Sequence, residues 1–419
     1  MKKGYLLLIL CCICYTLTAQ QKDPVVNHFF EQMGKGNWIG AMEHMDANMK
    51  KKVTPDMLNG IWQQLEQGNG KWEAFTSQQT SRDGAYTIVM ADNRFANGII
   101  IFRVVLDSAH HIAGFFIAAT RPKPVSLQTN ESPDSVATAD QGLLLGTLTL
   151  PEGNAPFPLV LIIAGSGPTD RNGNNPLSTP RNGSSYQQLA AALAANGIAS
   201  LRYNKRGIGE STGFTKPAAA TTLDDYANDA AIWLTHLQKD RRFKSVSVIG
   251  HSEGALIGMK LATTHSFKSL VSFAGPGETM DQLLLAQLKS RLDKSLYQQL
   301  PDILTALRNG NDPANVPAAL NTLFNPSLYA FWKSTFRFDP CTLMKTVTMP
   351  VLILNGTADM QVPPAQATLL QHCKPDAQLI LIPGMSHAGK NEAETTYPDG
   401  KPLPISPALI TPIANFIKS

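Results

Sequence analysis

Apolar positions recur along this chain in two different rhythms, one before about residue 120 and another after residue 142. Near the start, Val25, Val26, Phe29, Phe30 and Met33 fall at helical spacing. A later helix opens at Thr54-Pro55, with Thr54 as cap and Pro55 in the first turn; Met57, Leu58, Ile61, Trp62 and Leu65 form its apolar face, and Gly68 and Gly70 end it. Four strand-like runs follow, "KWEAFTS", "AYTIVMA", "GIIIFRVVLD" and "IAGFFIAA", with turns at Arg82-Asp83-Gly84 and Asn97-Gly98. Helices and then antiparallel strands predict a small α+β domain over 23–120. Residues 121–141 are rich in Pro, Ser, Thr and Asp without a period and are expected to be a linker.

From Gly142 the rhythm changes. "GLLLGTLTLP" alternates and predicts an opening pair of strands. "PLVLIIAG", "IASLRYN", "KSVSVIG", "KSLVSFAG", "PVLILNG" and "QLILIPG" are short, continuous apolar runs, and helical patterns lie between most of them. A half-buried strand alternates, whereas a strand covered on both faces does not. Residues 142–419 therefore predict an α/β domain with a mostly parallel sheet flanked by helices. One interval is out of step: about 277–342 is mostly helical and leucine-rich, and an all-helical insertion above such a sheet predicts a lid.

Composition narrows the function. The chain has 419 residues, 43% hydrophobic and 16% charged, with a formal net charge of +4. That suits a sizeable packed core, and the weak, dispersed positive excess argues against a nucleic-acid partner. Residues 1–19 have a basic start (Lys2, Lys3), an apolar stretch and a small residue at Ala19. This is a signal-peptide pattern, and it predicts a secreted or periplasmic protein cut after Ala19 with no stable membrane insertion. Beyond that segment only Cys341 and Cys373 remain. The sequence leaves open whether they pair or stand as free thiols.

The chemistry centres on "VSVIGHSEGALIGMKLA", which reads strand, tight turn, helix. Ser252 sits in Gly-x-Ser-x-Gly, where Gly250 and Gly254 leave room for a strained turn that projects the hydroxyl. A serine hydroxyl needs a base to become a nucleophile, and the base needs an acceptor that fixes its tautomer. His387 in "LILIPGMSHAGK" follows the last strand and is the candidate base; Asp359 in "VLILNGTADMQVP" follows the strand before it and is the candidate acid. His251 beside the serine is read as a packing or supporting group. Acyl transfer also needs donors for an oxyanion, and the candidates are the N–H of Ser166, positioned by Gly165, and the N–H of Glu253. Asp170 and Arg171 either pair to hold that glycine-rich loop or form a solvated turn. "NKRGIGESTG" lacks the glycine spacing of a dinucleotide site, and "GSGPTDRNG" lacks the ending of a phosphate loop. No metal or organic cofactor is implied.

Together "AGSGPTDRNG", "NKRGIGES", "GHSEGA", "NGTADMQVP" and "GMSHAG" make residues 142–419 resemble the α/β-hydrolase superfamily, near bacterial serine esterases related to the dienelactone hydrolase and prolyl-oligopeptidase groups. The resemblance implies Ser252, Asp359 and His387 as a catalytic triad. One departure is Ala164-Gly165-Ser166, where many members have His-Gly. The region from about 24 to 120 more loosely resembles a small domain of unknown function that precedes such hydrolases, with a nuclear-transport-factor-two-like cone. The expected function is a secreted carboxylesterase acting on a small ester or acyl substrate through an acyl-enzyme. The alternatives are a prolyl-oligopeptidase-like serine peptidase and a non-catalytic binding protein on a hydrolase scaffold. The sequence leaves the oligomeric state open.

Overall fold

A computed structural model describes residues 22–96, 98–122, 127–175, 183–391 and 403–419. The expected signal segment and Asn97 lie outside these residues, as do parts of the expected linker. The chain divides into two compact units at residue 124.

In the first unit four helices precede four strands: α1 (Pro24–Gly34), α2 (Trp38–Ala41), α3 (Ala47–Lys52), α4 (Pro55–Asn69), then β1 (Trp72–Asp83), β2 (Tyr86–Phe95), β3 (Gly98–Leu106) and β4 (Ile112–Pro122). The strands pair antiparallel in sequence order. Residues along β3 are alternately buried and half-buried, as expected when one face meets a helical layer. Asp23 and Thr54 cap α1 and α4 through their side-chain oxygens, and α4 carries its proline in the first turn, as read from the sequence. Val26, Phe29, Phe30 and Met33 of α1 pack with Phe75, Phe95, Phe102 and Trp62 in the core of this unit.

The second unit holds β5 (Glu131–Ala137), β6 (Leu143–Thr149), β7 (Phe157–Ile163), α5 (Ser185–Ala195), β8 (Ala199–Tyr203), α6 (Leu223–Gln238), β9 (Phe243–His251), α7 (Glu253–Ala262) and β10 (Leu270–Phe273). A helical insertion follows: α8 (Met280–Leu288), α9 (Lys294–Tyr297), α10 (Leu300–Arg308), α11 (Tyr329–Thr335) and α12 (Pro340–Thr346). The chain then returns to the sheet as β11 (Val351–Gly356), α13 (Pro364–Cys373), β12 (Gln378–Ile382) and α14 (Pro407–Lys418). The eight strands lie in the order β12-β11-β10-β9-β7-β8-β6-β5, parallel from β12 to β8 and antiparallel at the β6 and β5 edge. Separate apolar clusters cover the two faces, and every residue of β11 is buried.

Two expectations change. Residues 131–137, within the expected linker, form edge strand β5, paired along its whole length with β6. The expected strand pair at 142–151 is the single strand β6, and its partner is this polar strand. An edge strand has one ladder and much exposed surface, so it needs no apolar run and escapes a reading based on apolar runs. The α/β unit thus starts ahead of residue 142. Cys341 of α12 and Cys373 of α13 are joined in a disulfide, Cα to Cα 5.4 Å.

Candidate active site

The chain enters the parallel sheet at β7, adds β8 on one side and returns to place β9 on the other. Loops leaving the C-terminal ends of β7 and β9 therefore diverge and open a crevice, which is where open α/β sheets hold their ligands. The β7 loop carries Gly165 and Ser166, and the β9 turn carries Ser252. A cavity of about 110 Å³ lies there, and Gly165, Ser166, Ser252 and His387 are among its lining residues.

Ser252 has φ 55° and ψ −120°, an expensive conformation for a residue with a Cβ. The turn is tight because backbone fills the space beside both glycines. A Cβ on Gly250 would collide with the Gly254 carbonyl, and one on Gly254 with the Ile163 carbonyl. The strain is held by the Ser252 N–H, which donates to the Phe273 carbonyl at the end of β10 (2.9 Å). α7 begins immediately afterwards, so its N-terminal N–H groups converge beside the hydroxyl.

Asp359 follows β11 and is buried. Its Oδ1 accepts from the N–H groups of Gln361 (2.9 Å) and Val362 (2.8 Å), which aims Oδ2 at Nδ1 of His387, 2.8 Å away. Nδ1 therefore carries the proton, and Nε2 is left with the lone pair a base requires. The structure brings the three sequence candidates to one crevice but does not join all three by hydrogen bonds. No hydrogen bond links the Ser252 hydroxyl to His387; the two side chains line the same cavity, and such contacts often tighten only with substrate in place.

The candidate oxyanion donors occupy the other wall. Among the described residues the N–H groups of Ser166 and Glu253 have no hydrogen-bond acceptor. The N–H of Gly165 is committed to the Tyr186 hydroxyl (2.9 Å), so Gly165 contributes position and not a free donor. Its carbonyl accepts from Lys205 Nζ (2.7 Å). Gly165 C=O and Ser166 N–H belong to one planar peptide and point in opposite directions, so the grip of Lys205 on the oxygen fixes the direction of the hydrogen. Lys205 Nζ also lies 3.2 Å from Glu253 Oε1, and both side chains are buried. Lys205 thus ties the Gly165–Ser166 peptide to the Glu253 side chain.

His251 and Tyr186 form a second tie. His251 Nε2 lies 2.8 Å from the carbonyl oxygen of His387, which only accepts, so Nε2 bears the hydrogen. Nδ1 is then an acceptor and takes the hydroxyl proton of Tyr186 (2.7 Å), whose oxygen accepts from Gly165 N–H. Burial pushes the His251 pKa down to about 3, with the neighbouring His387 acting in the same direction, so the ring stays neutral. The chain of bonds runs from the His387 loop to the Gly165 loop, giving His251 the supporting role left open for it. Asp170 and Arg171 do not pair with each other. Asp170 accepts from the N–H groups of Asn172 and Asn174 within its own loop, and Arg171 reaches Glu210 (2.8 Å).

Reading the sequence missed Lys205 and Tyr186. Lys205 had a signal, a lysine directly after a continuous apolar strand in "NKRGIGES"; Tyr186, in the first turn of α5, had none.

Residues 181–323 match the family described as Serine aminopeptidase, S33, and residues 26–115 match a protein family of unknown function, DUF3887. The chain is 25% identical over 339 residues to esterase EstD of Thermotoga maritima, covering 80% of this chain and 79% of that one. Solved structures similar to it include Est1E from Butyrivibrio proteoclasticus, with 19% identity, 61% of this chain and 90% of that chain covered, and a TM-score of 0.42. Another is a proline iminopeptidase from Mycobacterium smegmatis, with 19% identity, coverage of 68% and 98%, and a TM-score of 0.44. With its mostly parallel sheet flanked by helices and the family match over its centre, the second unit has an α/β-hydrolase fold, and a separate antiparallel-sheet domain precedes it in the sequence.

Proposed function

We propose that the protein is an exported serine esterase that hydrolyses small carboxylic esters through an acyl-enzyme. The observation that carries this reading is the oriented Asp359–His387 pair opening on the same cavity as a serine held in a strained turn. Ser252 Oγ attacks the ester carbonyl while His387 Nε2 takes its proton. The carbonyl oxygen, now negative, is received by the N–H groups of Ser166 and Glu253, donors already fixed before charge develops. His387 returns the proton to the departing alcohol. Water then attacks the acyl-serine with His387 as base, releasing the acid and the free hydroxyl. Asp359 keeps the imidazole in the right tautomer and stabilises its cation throughout.

The family match favours a second reading, an aminopeptidase. Such an enzyme needs a carboxylate to hold the substrate's amino group, and the described residues lining the cavity include none, which supports the ester. The helical insertion serves as a lid: Gln287 of α8 donates to the carbonyl of Gln361 (2.6 Å), a cavity-lining residue beside the acid. The Cys341–Cys373 bond and the basic-then-apolar start support export to an oxidising compartment. Sequencing the N-terminus of the exported protein should find Gln20 first, and an uncut Met1 there would refute export by this signal.

Ser252→Ala is expected to lower kcat on p-nitrophenyl esters by on the order of 10⁶ and to abolish labelling by a fluorophosphonate. Retained ester cleavage in that variant sinks the mechanism. Faster turnover of aminoacyl-nitroanilides than of esters by the unaltered enzyme selects the peptidase, and no labelling of the unaltered enzyme selects a binding protein.

A further inference from the structure

The first unit holds a group of side chains that the proposed hydrolysis does not use. His28 projects from α1, and Glu43 and His44 lie in the turn between α2 and α3. One ligand-capable atom from each of the three lies within 4.8 Å of the others. His28 Nε2 is 3.3 Å from Glu43 Oε2, yet the two are not aligned as a hydrogen bond. That nitrogen is shielded from solvent and has no hydrogen-bond partner among the described residues. The rings of His28 and His44 meet edge to face at 5.1 Å.

A shielded polar atom that sits beside a carboxylate without bonding to it calls for a third body to satisfy it. The one measured spacing, 3.3 Å between His28 Nε2 and Glu43 Oε2, is compatible with a small divalent ion. Zinc bonds imidazole nitrogen and carboxylate oxygen at about 2.0–2.1 Å in tetrahedral sites, so adjacent ligand atoms stand roughly 3.3 Å apart along the tetrahedron's edge. A direct ion pair with a good hydrogen bond would be shorter, about 2.7–2.9 Å. The backbone beneath the ligands is fixed. The His44 carbonyl accepts from Ile112 N–H (2.8 Å), Met45 bridges to Ile112, and the Glu43 carbonyl accepts from Lys50 Nζ (2.8 Å). α1 is held by its Asp23 cap and its buried apolar face. Two histidines and one carboxylate form a borderline donor set suited to zinc among the divalent ions.

We propose that His28, Glu43 and His44 bind one zinc-class divalent ion, with water in the fourth position, clamping α1 to the α2–α3 turn. The sequence implied no metal because the ligands are fifteen residues apart and follow no Cys/His spacing; the α1–α2 packing creates the group.

The test is isothermal titration of the full-length protein, stripped with EDTA, using Zn²⁺ alone, followed by Co²⁺ to read the visible absorption of a tetrahedral centre. The expected result is one ion per chain, a raised melting temperature, and binding weakened by at least about 100-fold in His28→Ala and His44→Ala. The His110→Ala/His111→Ala double variant, altered at neighbouring exposed histidines, is expected to keep the affinity. Glu43 is exposed, so Glu43→Gln keeps the test open if a histidine variant fails to fold; it should weaken binding by tenfold or more. Absence of saturable one-to-one binding, or unchanged affinity in both His28→Ala and Glu43→Gln, overturns the site.

Discussion

The two units bury very different chemistry. Among the described residues, Asn93 is the only polar side chain fully buried in the first unit, and its amide oxygen is satisfied by Trp72 Nε1 (2.9 Å). The second unit buries Arg202, Lys205, Asp229, Glu253, Asp359 and Lys390, among others. Removing a charge from water costs several kcal/mol, and apolar replacements usually fold as well or better. The first unit shows that a sheet and helices close without such groups. In the second, Lys205 and Asp359 lie in loops just after strands, where they hold backbone groups in set directions, while Arg202 and Asp229 lie inside β8 and α6. Arg202 pairs with Glu131 across the sheet edge, Arg206 forks onto Asp229, and Lys205 holds the Gly165 peptide.

The sharpest way to break this contrast is Lys205→Met. It should lower kcat about 10²–10³-fold with KM nearly unchanged, because the Ser166 N–H loses its direction while substrate contacts remain. It should also destabilise the fold by about 3–5 kcal/mol, since Glu253 is left buried and unpaired. Adding Glu253→Gln is expected to restore much of the stability and none of the rate, read by urea melts and ester kinetics. Recovery of rate together with stability would mean that the pair serves packing alone.

A smaller effect probes the other unit. Asn93→Ala leaves Trp72 Nε1 without its acceptor and should cost about 1–3 kcal/mol in the unfolding of that unit, with kcat on esters unchanged. A fall in kcat at constant stability would blur the division between the units.

The mildest test is pH. The folded pKa of His251 is depressed to about 3, below its ordinary value near 6.5. Between those values the unfolded chain binds a proton that the folded one refuses. The contribution is therefore complete above about pH 6.5 and is lost as pH falls, by about 1.4 kcal/mol per unit. Urea midpoints at pH 7 and pH 5 should differ more for the wild type than for His251→Gln. Equal differences would mean that the ring titrates normally.

How much of this was legible without coordinates depended on whether a group's neighbours were encoded nearby. The elbow was readable because Gly250, Ser252 and Gly254 must follow a strand and open a helix, all within one stretch of chain. Asp359 and His387 became candidates from their places after the last two strands, and the structure puts Oδ2 of one 2.8 Å from Nδ1 of the other. β5 was not, because an edge strand needs pairing and no apolar period, and Glu131–Ala137 has none.

The periods of 3.6 and 2, and the continuous apolar runs, determined helices, strands and the number of layers by themselves, since burial on one face or two is written residue by residue. Only the tertiary structure decided that the lysine after β8 grips the peptide after β7, that Tyr186 and His251 tie two distant loops, and that Cys341 meets Cys373. Those contacts depend on the β8-β7-β9 crossing and on helices packed across long separations, and no local rhythm of side chains reports which strand ends will be neighbours.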